Sequence, residues 1–250
     1  MAAQTYQTVV DRVDVLSYNV RNFRLKLLDP SSLEFEPGQF IIVNVPKDLP
    51  APPRGDPRGG AQAGGAVVKR AYSIATPPHE KGFIELCIQH VEGGVASTFF
   101  WHIKPGAPVS INGPHGRFTL TQPITYQPVF LATGTGVAPF RSMIKHLFHQ
   151  NVTQELWLLF GCRYEHTVLF EAEFRAMASV RRNFHYIPTV SRPKEWSGER
   201  GHIQQTFQKF ITDASDKEIY ICGWDVVVKA VNQDLQAFGV PKEKIHFEEW

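Results

Sequence analysis

Cysteine is scarce in this chain: three residues in 250, Cys87, Cys162 and Cys222, widely separated and odd in number. That argues against a disulfide framework. It also argues against a cluster held by this chain alone, because an iron–sulfur centre normally takes four thiolates. An excess of one charge is lacking too. The 26 Lys and Arg against 24 Asp and Glu leave a net charge of +2, without the basic stripe of a nucleic-acid binder. No apolar run approaches membrane-spanning length, and the opening MAAQTYQTVVDRV has neither a basic n-region nor an apolar h-region. The expected setting is a reducing cytoplasm, with no membrane and no nucleic-acid partner. What the chain does have is apolar material. Hydrophobic residues make up 43% and charged residues 20%, enough for a core and unlike a disordered chain. Its length predicts one large domain or two compact ones.

The period of the sequence changes part-way along. The first half holds VVDRVDVLS, NVRNFRLKLL, GQFIIVNV, VVKRAYSIAT, FIELCIQHV and APVSING, short runs rich in β-branched and aromatic residues and bounded by Gly, Pro or Asn. Closely spaced strands of this kind predict an antiparallel barrel or sandwich. Val95–His102 (VASTFFWH) breaks the alternation and predicts a short helix. Between Pro46 and Ala66 the chain is dense in Pro and Gly and predicts a mobile loop between two strands.

From Pro128 onward, apolar runs (PVFLAT, ELWLLFGC, FHYIPTV, EIYIC, KIHFEEW) alternate with helical windows at Pro139–Gln150, Glu171–Arg181, Gly201–Thr212 and Val226–Phe238. Continuously apolar strands alternating with helices predict a parallel sheet covered on both faces. The expected fold class is thus β followed by α/β. An antiparallel β-barrel domain spans residues 1–122, and an α/β domain with a parallel five-stranded sheet spans 128–250.

Three segments point to anion and aromatic-ring binding. In ATGTGVAPFRSMI a strand runs into a glycine turn and then a helix. Gly134 and Gly136 allow a sharp turn and close backbone approach, and Pro139 suits a first helical turn. Free amides and the helix dipole there suit a pyrophosphate. KRAYSIAT supplies Arg70 as a fork of donors, Tyr72 as a flat face and Ser73 as a small hydroxyl. GGVAS places Gly93, Gly94 and Ser97 before the short helix, a second place for an anion. His146 and His149 lie three apart with no evident third ligand, so no metal site is expected. No Gly-x-Ser-x-Gly motif supports a hydrolase.

Taken in order, Arg-x-Tyr-Ser, Gly-Gly-x-x-Ser, GPHGRF (113–118), GTGVAPF, FGCR (160–163), TVSR (189–192), YICG (220–223) and the terminal Trp250 resemble the ferredoxin–NADP(+) reductase family over nearly the whole chain. The resemblance implies an FAD-binding barrel followed by a domain binding NADP(H). It places Arg70 on the FAD pyrophosphate, with the amides around Gly94, Val95, Ala96 and Ser97. Tyr72 stacks on the isoalloxazine and Ser73 lies near flavin N5. Gln89, His90 and Val91 flank the ribityl chain and pyrophosphate.

For the nicotinamide nucleotide it implies Thr135 and Gly136 in the pyrophosphate turn, with Arg163 adding charge. Ser191 and Arg192 fall where a ribose 2′-phosphate binds, and Cys222 lies beside the nicotinamide. Trp250 covers the second flavin face, and Glu248 is the active-site carboxylate, with Glu249 the competing assignment. Ser73, Cys222, Glu248 and Trp250 form the implied catalytic set. Trp224, after Cys222-Gly223, departs from the family's usual proline or small residue.

The implied function is a monomeric flavoenzyme. It moves hydride between NADPH and FAD, and single electrons between FAD and ferredoxin or flavodoxin. The rivals are an NADH-linked reductase component of an oxygenase system, and an electron-relay subunit without independent turnover.

Overall fold

The computed structural model describes residues 3–46 and 67–249. The predicted loop at 46–66, apart from Pro46, and the terminal Trp250 therefore lie outside the described residues.

Strands β1 (Gln4–Ser17), β2 (Val20–Asp29), β3 (Phe40–Pro46), β4 (Val67–Ser73), β5 (Phe83–Gln89) and β6 (Pro108–His115) form one antiparallel sheet in the order β4-β3-β6-β1-β2-β5. Alternation drives its curvature. In β3 every second side chain (Ile41, Val43, Val45) is buried, and these meet Val10, Phe23, Leu25, Ile84 and Leu86 in one core. The sheet curls until its edges meet. Ile74, one residue past β4, bridges Leu86 in β5, and the Ala75 amide donates to the Glu85 carbonyl at 2.9 Å. This contact closes the barrel at the end of β4. Helix α1 covers Val95–His102, as the break in alternation predicts.

The second sheet is parallel and follows the order β10-β9-β8-β7-β11-β12. Its strands are β7 (Gln127–Thr133), β8 (Leu156–Cys162), β9 (Phe184–Val190), β10 (Glu199–Arg200), β11 (Lys217–Gly223) and β12 (Ile245–Glu249). Six strands replace the five expected. The extra one, β10, pairs only Glu199 and Arg200 with the end of β9, too short to leave a periodic trace.

Helices α2 (Val137–His149) and α3 (Glu171–Val180) cover one face, and α4 (Ile203–Phe210) and α5 (Asp225–Ala237) the other. Burial on both faces explains the unbroken apolar runs of β7 and β11. The core of the first face continues into the barrel half. Phe118, Leu120 and Cys87 join Phe130, Phe140 and Met143 in one cluster. The connector between the sheets is tied to the same core: buried Tyr220 accepts the Thr121 amide at 3.0 Å and lies 2.8 Å from the Tyr126 hydroxyl.

Candidate active site between the two sheets

From β7 the chain builds β8 and β9 to one side and β11 and β12 to the other. Where that direction reverses, the connections leaving the C-terminal ends of β7 and β11 run to opposite faces of the sheet, into α2 and α5, and open a crevice, the usual ligand position in such sheets. The sequence sends β7 into this crevice through Gly134–Gly136, a single 3₁₀ turn leading directly into α2. Gly134 has φ +53°, a left-handed conformation that side chains rarely adopt. Gly136 packs against β11 so closely that a Cβ would overlap the Cys222 carbonyl, and a Cβ on Gly223 would overlap the Thr133 hydroxyl. Thr133 Oγ1 is buried without a hydrogen-bond partner. A buried orphan hydroxyl beside a glycine cradle and a helix N-terminus is a donor set suited to a dinucleotide phosphate.

Cys222 and Glu248 are register partners on β11 and β12. Cys222 is only 1% exposed. Burial, with the Glu248 carboxyl beside it, pushes its thiol well above the ordinary range, which favours the neutral form. Burial also raises Glu248 to about 7, against a smaller lowering by Ser73. The Ser73 hydroxyl, from the end of β4, donates to Glu248 Oε2 at 3.5 Å. Ser73, Cys222 and Glu248, from both halves of the chain, therefore meet at one point.

Beside Ser73, Tyr72 is half-buried and meets Phe100 of α1 edge-on, ring centroids 5.6 Å apart. Burial pushes its phenol up to about 12, Arg70 opposing. Arg70 is exposed, and among the described residues its guanidinium donates to the neighbouring Lys69 carbonyl at 2.9 Å. At α1 the first intrahelical bond is Thr98 N–H to Gly94 O, so the amides of Val95, Ala96 and Ser97 precede it. The Ser97 side chain points inward. Its hydroxyl takes the Val91 amide at 3.1 Å and donates to the Val91 carbonyl at 3.0 Å, which fixes the turn. Gln89 pairs with Val20, the His90 ring packs on Trp101 at 4.8 Å, and Val91 is 56% exposed.

Arg163 and Arg192 lie at the ends of β8 and β9, both exposed, joined by an Arg192 N–H to Arg163 O bond of 2.8 Å. Ser191 continues the same ladder to the Cys162 carbonyl at 2.9 Å. Thr135 lies in the glycine turn. These four thus lie at the C-terminal ends of β7, β8 and β9, where the crevice opens. Glu165 was not singled out from sequence. Its carboxylate accepts the Lys194 and Glu195 amides at 3.3 and 3.2 Å and folds the 192–195 loop back toward β8. A short loop gripped from a distant segment leaves no sequence signal. Trp224 caps the start of α5 and is 50% exposed. Glu249 is exposed, with its carboxylate 3.8 Å from Lys229, which leaves Glu248 as the carboxyl at the meeting point.

Residues 130–233 match the oxidoreductase NAD-binding domain family, and residues 60–120 the oxidoreductase FAD-binding domain family. The chain is 32% identical to ferredoxin–NADP reductase B of Sorangium cellulosum, over 99% of this chain and 98% of that relative. The chain belongs to the ferredoxin–NADP(+) reductase family. It is accordingly an oxidoreductase of the FAD- and NAD(P)-binding type.

It is also 28% identical to the toluate 1,2-dioxygenase electron transfer component of Pseudomonas putida, over 98% of this chain and 67% of that one. It spans 65% and 64% of a phenol hydroxylase P5 protein and a propane 2-monooxygenase reductase component. Among solved structures, the fold is similar to Amycolatopsis cytochrome P450 reductase GcoB, with TM-score 0.84 and 23% identity over 99% of this chain and 70% of that one. It is likewise similar to a Neisseria gonorrhoeae ferredoxin NADP+ reductase, with TM-score 0.79 and 18% identity over 100% and 99% of the two chains. No helix among the described residues is long and apolar enough to cross a membrane.

Proposed function

We propose that this chain oxidises NADPH and passes the electrons one at a time to a carrier of the ferredoxin or flavodoxin class. The observation that carries the reading is the meeting of Ser73, Cys222 and Glu248 beside the glycine turn, where two cofactor cradles share one wall. When bound, FAD supplies the conversion between hydride and single-electron chemistry.

The residues take these parts. Arg70 and the α1 amides of Val95, Ala96 and Ser97 hold the FAD pyrophosphate, and Gly94 lets the chain approach it. Tyr72 offers its half-exposed ring as a stacking surface. Gln89, His90 and Val91 line the adjoining edge. Ser73 holds a hydrogen bond at the reacting edge, with Glu248 as its proton partner near neutral pH. Cys222, a neutral thiol, shapes the nicotinamide side. Thr135 and Gly136 hold the dinucleotide pyrophosphate. Arg163, Ser191 and Arg192 form a cationic end suited to a 2′-phosphate. The rate advantage comes mainly from orientation of two rings held against one another. We divide the chain into an FAD domain at 1–122 and a nucleotide domain at 128–250, working in the cytoplasm.

A second reading is an NADH-linked reductase component of an oxygenase, favoured by the oxygenase reductases among the relatives. One experiment separates the readings: steady-state dye reduction by the isolated chain with NADPH and with NADH, repeated with ferredoxin or flavodoxin as acceptor. Preference for NADPH and turnover with a carrier support the first reading. Preference for NADH supports the second, and no turnover of the isolated chain indicates a relay subunit.

A further inference from the structure

Strand β5 reads FIELCIQ, and its one charged residue, Glu85, is 1% exposed. A carboxylate is costly to bury unless it is paired. Here it is paired across the seam between the two halves. Arg141, on α2, donates to Glu85 Oε2 at 2.7 Å, to the Ala75 carbonyl at 3.0 Å and to Glu173 at 2.6 Å. From within the barrel half, Arg24 reaches Glu85 at 3.0 Å and Arg12 at 3.4 Å. Burial alone would raise the Glu85 carboxyl, but the guanidinium groups of Arg141 and Arg24 outweigh it and hold the group charged.

Arg141 is not alone on its helix face. Ser142 Oγ donates to the Thr76 carbonyl at 2.7 Å, Lys145 pairs with Glu80 at 2.6 Å, and the His149 ring stacks on His79 with centroids 4.0 Å apart. Residues 141, 145 and 149 are spaced one turn apart, so α2 lays a polar stripe along barrel segment 75–85. Apolar contacts between the halves tolerate sliding, because burial has no direction. A forked guanidinium bound to two carboxylates and a carbonyl does not.

The position of this stripe matters. Arg141 lies five residues beyond Gly136 on the helix that the glycine turn opens, and Ala75 lies two residues beyond Ser73. Resting on the functional reading above, we propose that Arg141 is a positioning residue. Through Glu85 and the Ala75 carbonyl it sets the spacing between the nucleotide turn and the Tyr72–Ser73 segment, and so the ring-to-ring geometry of hydride transfer.

The test uses holoenzyme and reads four quantities: FAD per chain, NADP+ affinity by flavin difference absorbance, long-wavelength absorbance of stacked nicotinamide and flavin, and single-turnover flavin reduction by NADPH. For Arg141→Met the expected result is unchanged FAD content and NADP+ affinity. The stacking absorbance weakens, and single-turnover reduction slows on the order of 10- to 100-fold, the scale of an ångström-level misplacement. Arg141→Lys, which can reach one partner but not all three, recovers part of the rate. If Arg141→Met does not accumulate as folded protein, Arg141→Lys carries the same test. The double variant Glu85→Gln/Arg141→Met, which removes the buried carboxylate together with its buried cation, regains thermal stability but not rate. The proposal is overturned if Arg141→Met lowers thermal stability yet bound FAD is reduced at the wild-type rate with wild-type stacking absorbance. Failure of the wild type to take up FAD, or to be reduced by either nucleotide, defeats the functional reading instead, and the proposal with it.

Discussion

Cys222 and Glu248 are parallel register partners at the ends of β11 and β12, and the Glu248 carboxylate accepts the Ser73 hydroxyl from the other half of the chain at 3.5 Å. One carboxyl is therefore bordered by a neutral thiol, a hydroxyl and the mouth of the crevice. Its titration should report on the site as a whole.

Burial raises Glu248 from an ordinary 4.5 to about 7, Ser73 opposing weakly. The folded state therefore binds a proton more tightly than the unfolded chain. The contribution to stability is fully present below about 4.5 and is lost as pH rises toward about 7. Thermal unfolding of wild type and Glu248→Gln, compared across this window, should show the wild type losing ground with rising pH and the difference levelling off above it. The pH–rate profile of the wild type should fall through the same region, and the Gln variant should lack that limb. Parallel curves for the two proteins would mean Glu248 does not titrate there.

Tyr72 offers its ring beside Ser73, and stacking of a base on an aromatic ring contributes about 1–3 kcal/mol. Tyr72→Ala should weaken FAD binding by roughly 5- to 150-fold on that scale. Fluorescence titration of the deflavinated protein measures this directly. An unchanged dissociation constant would place the flavin away from Tyr72.

Arg192 is exposed at the end of β9 beside Arg163. If it pairs with a 2′-phosphate, Arg192→Ala should cost about 1.5–3 kcal/mol in NADPH use and leave NADH use nearly unchanged. Equal losses with both nucleotides would assign it a structural role.

Gly136 leaves no room for a side chain against the Cys222 carbonyl. Gly136→Ala should push the turn away from β11, destabilising the fold by about 1–3 kcal/mol and abolishing nucleotide binding. Thermal unfolding and equilibrium titration with NADP+ check both halves of this expectation. Near-normal binding would show that the turn relaxes without function depending on its position.

What the sequence discloses here is mostly local. The change from alternating to continuous apolar strands separates the two sheets, because strands such as β3 are buried on one face and strands such as β7 and β11 on both. The bounds of α1 and the strand–turn–helix at Gly134–Gly136 follow from adjacent residues alone. The Ser73–Glu248 contact joins residues 175 apart and became legible only through family resemblance. The Arg141–Glu85 pair, 56 residues apart, was missed. Its one trace was a lone acid in the apolar run of β5, a sign that a partner must come from elsewhere. The two-residue strand β10 had no trace, since it exists only through pairing with β9.

We propose that two cofactor cradles meet so that hydride passes from NADPH to bound FAD. The most direct measurement is anaerobic stopped-flow absorbance of the purified holoprotein mixed with NADPH or NADH. The expected result is a yellow protein whose flavin band bleaches with NADPH, more slowly with NADH, and recovers when an oxidised one-electron carrier is added. A colourless protein that takes up no added FAD, or a flavin band that neither nucleotide bleaches, would contradict it.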